Sequence, residues 1–251
     1  MSSGRSLPAE GQGRDVPSGR YLPAVSAGFV TCLVVSNIIA VKIGAFGPWY
    51  LPVAVIIFPI AYIFGDVLTE VYGYARARQV IWIGFACNAL AVGAIALGGW
   101  IAPAPFWTLS GFDAPASAQA AYQAILGFTP RLLLASFLAY LVGEFVNAYV
   151  LARLKVATRG RMLWLRTIGS TLAGQLLDSS IFLTVAFAGV LPGSALAPLV
   201  LTQWLFKAGY EALATPLTYL VVGALKRAEG LDAYDRDTDF NPLAVSGLKG
   251  G

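Results

Sequence analysis

The sequence predicts an all-α integral membrane protein, a six-transmembrane-helix bundle with both termini in the cytosol. Composition is the first reason: of 251 residues, 57% are hydrophobic and 12% charged, where soluble domains carry about 25% charged residues. Mean hydropathy is +0.70. Segment length is the second: six apolar stretches, about 22–42, 51–72, 80–101, 131–152, 167–190 and 197–223, each approach the roughly 20 residues that a helix needs to cross a bilayer. The third is charge placement. With the N-terminus inside, 14 of the 17 basic residues fall on the cytosolic side, Lys42 and Arg131 fall outside, and Lys207 lies within a span, as the positive-inside rule requires.

Residues 1–20, rich in Gly, Ser, Pro and Arg, are expected to form a disordered cytosolic tail ahead of span one. Span two reads LPVAVIIFPIAYIFGDVLTEVY: apolar throughout its first half, with Asp66 and Glu70 in its second. Pro59 lies inside it and Pro216 inside span six, and each is expected to bend its helix by removing a backbone donor. The connector 102–130 carries Phe106, Trp107 and Phe112, which fit an interfacial aromatic belt, and residues 116–126 are expected to form a short surface helix. The domain is read as 21–227. The polar segment 228–251, with Asp232, Asp235, Asp237 and Asp239, is expected to be a mobile cytosolic tail. No segment alternates with period two, which excludes a barrel. The string Ala61-Tyr62-x-x-Gly65-Asp66 returns as Ala139-Tyr140-x-x-Gly143-Glu144, a short echo between two spans that run in the same direction.

The chain has no histidine, and its two cysteines, Cys32 and Cys87, sit in apolar runs. That leaves no His-ligated zinc, no Ser-His-Asp chemistry, no disulfide pattern and no metal motif. No cofactor, metal or catalytic residue is expected. The excess of basic residues follows topology, so it is no footprint for nucleic acid.

The informative residues are polar ones in the wrong solvent. A charge at the centre of a membrane helix costs about 2.5–3.5 kcal/mol on insertion scales, and such groups face a cavity or each other. Glu144 and Asp178 fall near the midplanes of spans four and five, and Lys207 and Glu211 bracket that of span six. Asp66 and Glu70 lie closer to the cytosol. The pairs Asp66/Glu70 and Lys207/Glu211 are i,i+4; Glu144/Asn147 and Gln175/Asp178 are i,i+3. Each pair therefore shares a helix face, and the simplest arrangement turns these faces into one central cavity, which Asn37 and Asn88 could join. Carboxylates accept N–H bonds, Lys207, Gln175 and Asn147 donate, and Tyr62, Tyr140, Phe182 or Tyr210 could stack on a ring. That set suits a small, flat, hydrogen-bonding solute. Structural readings stand beside this one: Lys207–Glu211 as an ion pair, Glu70 bonded to Arg76 or Arg78 at the interface, and the amides as glue between helices.

Phe58-Pro59-x-x-Tyr62-x-x-x-Asp66-x-x-Thr69-Glu70-x-Tyr72-Gly73, followed by Ala77-Arg78-x-x-Ile81, resembles the signature of the queuosine precursor transporters, also called the vitamin uptake transporter family. Arg131, Ala135-Ser136-Phe137-x-Ala139-Tyr140, Gly143-Glu144, Ser170-Thr171, Asp178, Lys207 and Pro216 extend the likeness over roughly residues 22–227. The resemblance implies a bacterial inner-membrane importer of the small molecules 7-cyano-7-deazaguanine and 7-aminomethyl-7-deazaguanine, precursors of queuosine in transfer RNA, that touches lipid bilayer and no nucleic acid directly. The resemblance carries over Asp66, Glu70, Arg78, Arg131, Asp178 and Lys207 as like residues of the family; on the cavity reading, Glu144, Asp178, Lys207, Glu211, Gln175, Asn147, Tyr62 and Tyr140 are expected to contact the base. Asp66, Glu70 and Arg78 form an inner gate or cavity floor, and a homodimer is expected. Two other classes remain open on sequence: the substrate-binding membrane subunit of an ATP-powered transporter, and a structural or channel protein. An enzyme is not expected.

Overall fold

A computed structural model describes residues 19–46, 49–127, 130–189, 192–236 and 238–243. Expectations for 1–18, Asp237 and 244–251, and for the side chain of Arg131, lie outside the described residues.

Among the described residues the elements are α1 (Leu22–Ile39), strands β1 (Ile43–Phe46) and β2 (Trp49–Pro52), a 3-10 turn (Val53–Ile56), α2 (Phe58–Tyr72), α3 (Tyr74–Trp100), α4 (Pro115–Leu126), α5 (Pro130–Ala157), α6 (Leu163–Phe187) and α7 (Gly193–Glu229). Four helical stretches are long and apolar enough to cross a membrane: Leu22–Ile39, Tyr74–Trp100, Leu133–Ala157 and Leu163–Phe187.

The polarity of α6 and α7 is inverted relative to a soluble protein. Along α6, Arg166, Thr167, Ser170, Thr171, Gln175 and Ser179 are buried, while Leu172, Leu176 and Leu177 face outward. Along α7, Glu211, Thr215, Thr218 and Val222 form one buried stripe at helical spacing, whereas Leu213 is 82% and Leu220 70% exposed. Large apolar side chains left outside while polar stripes turn inward mean that the outer solvent is lipid. The chain is a helical membrane protein.

Span two is where sequence and structure part. It was expected as one helix over 51–72. Instead Trp49–Pro52 pairs antiparallel with Ile43–Phe46, a 3-10 turn follows, and only Phe58–Tyr72 is α-helical. Pro59 consequently occupies the first turn of α2, where its missing N–H costs nothing, and does not kink a helix interior. The remaining 15 residues are enclosed by α1, α3, α5 and α7, and nearly every position from Ala61 to Tyr72 is buried. A helix wrapped in protein can carry two carboxyls that a lipid-facing helix could not.

Alpha-2 ends at Gly73, whose φ of +84° lies in a region that side chains with a Cβ disfavour. Gly73 is also crowded: a Cβ there would stand 3.1 Å from the Ala233 methyl and 3.3 Å from Asp235 Oδ1. Alpha-5 and α6 touch most closely where Gly143 meets Gly174; a Cβ on Gly174 would come within 2.8 Å of the Gly143 carbonyl. Pro216 does lie inside α7, as does Pro198.

The helix expected at 116–126 is α4. It docks on the end of α3 through Tyr122 Oη donating to the Ile95 carbonyl at 3.0 Å and Gln119 Nε2 donating to that of Gly99 at 2.8 Å.

The C-terminal segment departs from the mobile tail that its polarity suggested. Alpha-7 continues to Glu229, and residues 231–236 and 238–243 lie along the ends of α3 and α5. Asp235 accepts the Tyr74 N–H on both carboxylate oxygens, at 3.1 and 3.0 Å, capping α3 from a distance. Arg78 Nη1 donates to the carbonyls of Asp239 and Asn241, and Trp82 Nε1 to that of Pro242. The Phe240 ring packs against Tyr74 and Tyr149.

Candidate functional site

Two buried polar groups occupy different levels of the bundle. The first surrounds Glu70, which is fully buried near the end of α2. Arg166 grips its carboxylate with two donors, Nη2 to Oε1 at 2.7 Å and Nε to Oε2 at 3.2 Å. Lys226 Nζ lies 2.7 Å from Oε1. Lys155 Nζ lies 3.5 Å from Oε1 and donates to the Glu70 carbonyl at 2.5 Å. Asp232 closes the network, 2.5 Å from Lys155 and 2.8 Å from Lys226. Burial opposes ionisation of Asp232, but the hydrogen bonds from Lys155 and Lys226 hold its carboxyl below the usual Asp value. Three cations thus share two carboxylates, and α2, α5, α6, α7 and the C-terminal segment meet at one point.

The second group lies one turn and more away from Glu70. Asp66 is fully buried and accepts from Asn147 Nδ2 at 3.3 Å. Its carboxyl and that of Glu211 are within reach of each other. Apart from each other, Asp66 Oδ2 and both Glu211 oxygens meet no hydrogen-bond donor among the described residues; nor do Asn147 Oδ1 and Gln175 Oε1. Lys207 Nζ contacts Asp178 Oδ2 at 2.6 Å, a pair about one-sixth exposed on either side. Glu144 lies in the field of Asp178, Lys207 and Glu211, and Tyr62 beside Gln175 in that of Asp178, Glu144 and Glu211.

Glycine makes this convergence possible. A Cβ on Gly65 would sit 3.4 Å from Glu144 Oε2, and one on Gly143 would sit 2.9 Å from Asp178 Cβ. The two echoed strings are alike in this: each places a glycine beside an acid of another helix, Gly65 beside Glu144 of α5 and Gly143 beside Asp178 of α6, and an acid of its own just after it.

Several expectations are corrected. Glu70 bonds Arg166, Lys155 and Lys226, and not Arg76 or Arg78; Arg76 reaches Gln79 and Arg78 holds the C-terminal segment. Lys207 pairs across helices with Asp178, not along its own helix with Glu211, because the helical spacing puts the two on one face without bringing their tips together. Asp66 and Glu70 belong to separate groups, despite their i,i+4 spacing. Tyr210 is 38% exposed on the outer side of α7, whereas Tyr140 is buried, with its hydroxyl and not its ring taken up by the Ile81 carbonyl at 2.9 Å. Sequence reasoning missed Lys155, Arg166, Lys226 and Asp232. The first three were counted only as cytosolic charges. A usable signal was present: each stands at the end of its span expected to face the cytosol, the depth expected for Glu70.

A helical membrane fold thus encloses an acid-rich polar centre and, beside it, an ion network. The family model described as "Putative vitamin uptake transporter" matches residues 52–221, well over half of the chain, and the chain belongs to that family. It is 34% identical over 158 residues to a Bacillus subtilis (strain 168) protein named "Probable queuosine precursor transporter", a match covering 61% of this chain and 64% of the relative. The match thus spans just under two thirds of that relative's length. No solved structure matches the chain.

Proposed function

We propose that the protein imports queuosine precursors, 7-cyano-7-deazaguanine or 7-aminomethyl-7-deazaguanine, across a bacterial inner membrane by alternating access, supplying transfer-RNA modification. The observation that carries this reading is the balance of the central group: Asp66, Glu144, Asp178 and Glu211 face a single lysine, Lys207, and several of the acceptors lack donors. Buried polar groups are rarely left unpaired, and a solute rich in N–H groups satisfies them. A 7-deazaguanine presents an amino group and ring N–H groups on one edge and a carbonyl beside them. In this reading Asp178 and Glu144 accept from the base, Lys207 supports the carbonyl or holds Asp178 in register, and Asp66, Glu211, Asn147 and Gln175 complete the wall. Tyr62 and Tyr140 flank the ring. The relative's name supports the same solute class.

The reading includes six crossings, with α2 and its flanking hairpin serving as one and α7 as another, and both termini in the cytosol. The Glu70 network with its strap is then the closed inner gate, held in part by Arg78. A homodimer is part of the proposal.

Uptake of labelled 7-deazaguanine into cells unable to make it is the direct test. Asp178→Asn and Lys207→Ala should each abolish uptake while the protein still reaches the membrane. Wild-type rates in both variants would remove these residues from the site. Retention of ATPase subunits through purification would favour the rival in which the chain is a substrate-binding subunit of an ATP-powered carrier.

A further inference from the structure

A cavity of about 250 Å³ lies on the far side of the polar centre from the Glu70 network, between α1, α3, α5, α6 and the end of α4. It is mostly apolar. Phe137 and Phe182 supply aromatic surface, Ser136 a hydroxyl, and Asn37 and Asn88 a pair of amides bonded to each other, Nδ2 to Oδ1 at 2.9 Å. That single bond uses one donor and one acceptor, so the pair still offers both kinds of group. No charged side chain lines it among the described residues.

Its position is as informative as its lining. Phe182 stands one helical turn beyond Asp178. Ser136, Tyr140 and Glu144 follow each other at four-residue steps on α5, so the cavity and the polar centre lie on the same face. Tyr140 stands between Ser136 and Glu144 along α5, its hydroxyl bonded to the Ile81 carbonyl. Val41 and Ile125, at the other end, are about half exposed. A solute entering from that end would meet the apolar cavity first, Tyr140 next, and the charged centre last.

We propose that this cavity is an entry subsite for a neutral, planar, fused-ring heterocycle with a mixed donor–acceptor edge. The phenylalanine rings hold its faces and the two amides read its edge before it reaches the carboxylates. The volume lies just below the 300–1,000 Å³ of ordinary ligand pockets and has room for a free base. The inference rests on the import reading above and adds a second, uncharged station to it.

Site-directed labelling tests it. Ser136→Cys is placed in a Cys32→Ser, Cys87→Ser background, and intact cells are treated with a membrane-impermeant maleimide, with and without 7-cyano-7-deazaguanine. The new thiol should react, and the reaction should slow about tenfold when the base is present at ten times its Kd. In parallel, Asn88→Ala should raise the KM for uptake about tenfold, the worth of one net hydrogen bond, with the maximal rate kept. An unreactive thiol, or one that the base does not protect while the unsubstituted protein imports it normally, overturns the subsite alone. So does a lowered maximal rate at unchanged KM in Asn88→Ala, which is what a purely structural amide pair gives. Failure of the unsubstituted protein to take up the base overturns the import reading and the subsite with it.

Discussion

At the scale of single residues, Glu70 and Asp178 illustrate two uses of a buried carboxylate. Glu70 is saturated: Arg166, Lys226 and Lys155 surround it and no solvent reaches it. Such a network is costly to break because the partners stay behind. Glu70→Gln leaves the cations short of a counter-charge and should destabilise the protein by about 3–5 kcal/mol, read as a fall in the unfolding midpoint in detergent. Arg166→Lys keeps the charge but loses the two-pronged grip, and its cost in the same measurement should be clearly smaller. Asp178, by contrast, has one ammonium partner among the described residues and some access to open space, which suits the partner exchange proposed for it. Both acids were legible in the sequence because apolar neighbours make a carboxylate conspicuous. Their partners were not. The cations on Glu70 come from 85, 96 and 156 positions away, a distance that no local spacing rule spans.

At the scale of elements, hydropathy located the long helices to within a few residues, since an uninterrupted apolar run of that length has few alternatives to a helix. It failed at 51–57, where a short apolar run fits a strand as well as a helix. Pro52 and Pro59 were the available punctuation: the helix begins only beside the second of them. Close approach of helices is also written in small residues. Gly174→Ala would force a Cβ to within 2.9 Å of the Asn147 Cβ and closer still to the Gly143 carbonyl. It should cost about 1–3 kcal/mol as an overpacked contact and lower uptake as well, because Asn147 and Asp178 ride on the two helices pushed apart. Asp235 acts on α3 as a helix cap does, although it lies 161 residues further along the chain. Asp235→Ala should cost about 1 kcal/mol, the usual worth of a cap, with protection of the first amides of α3 in hydrogen exchange reduced accordingly.

At the scale of the whole molecule, segment 231–243 ties the ends of helices that are far apart in sequence. Its polar composition concealed this, because an aspartate-rich tail and a docked strap look alike until their partners are known. The strap has a defined pH response. Asp232 in place has its carboxyl below the ordinary value of 3.8, so its contribution is complete above that value and is lost as pH falls through the lowered one. Amide exchange over 231–243 should therefore stay slow from neutral pH down to about the ordinary Asp value and rise only below it, whereas Asp232→Asn should loosen the segment at neutral pH. The Glu70 network has a further consequence, one of time. The ribosome makes Glu70 long before Lys155, Arg166 and Lys226, and makes Asp232 77 residues after Lys155. While the next 85 residues are made the nascent chain holds an unanswered acid in α2, and the last of its cations, Lys226, follows 156 residues after it. A chain cut short before Lys226 would therefore be defective at the heart of the bundle, and membrane quality-control proteases should clear it faster than the loss of a polar segment alone would suggest.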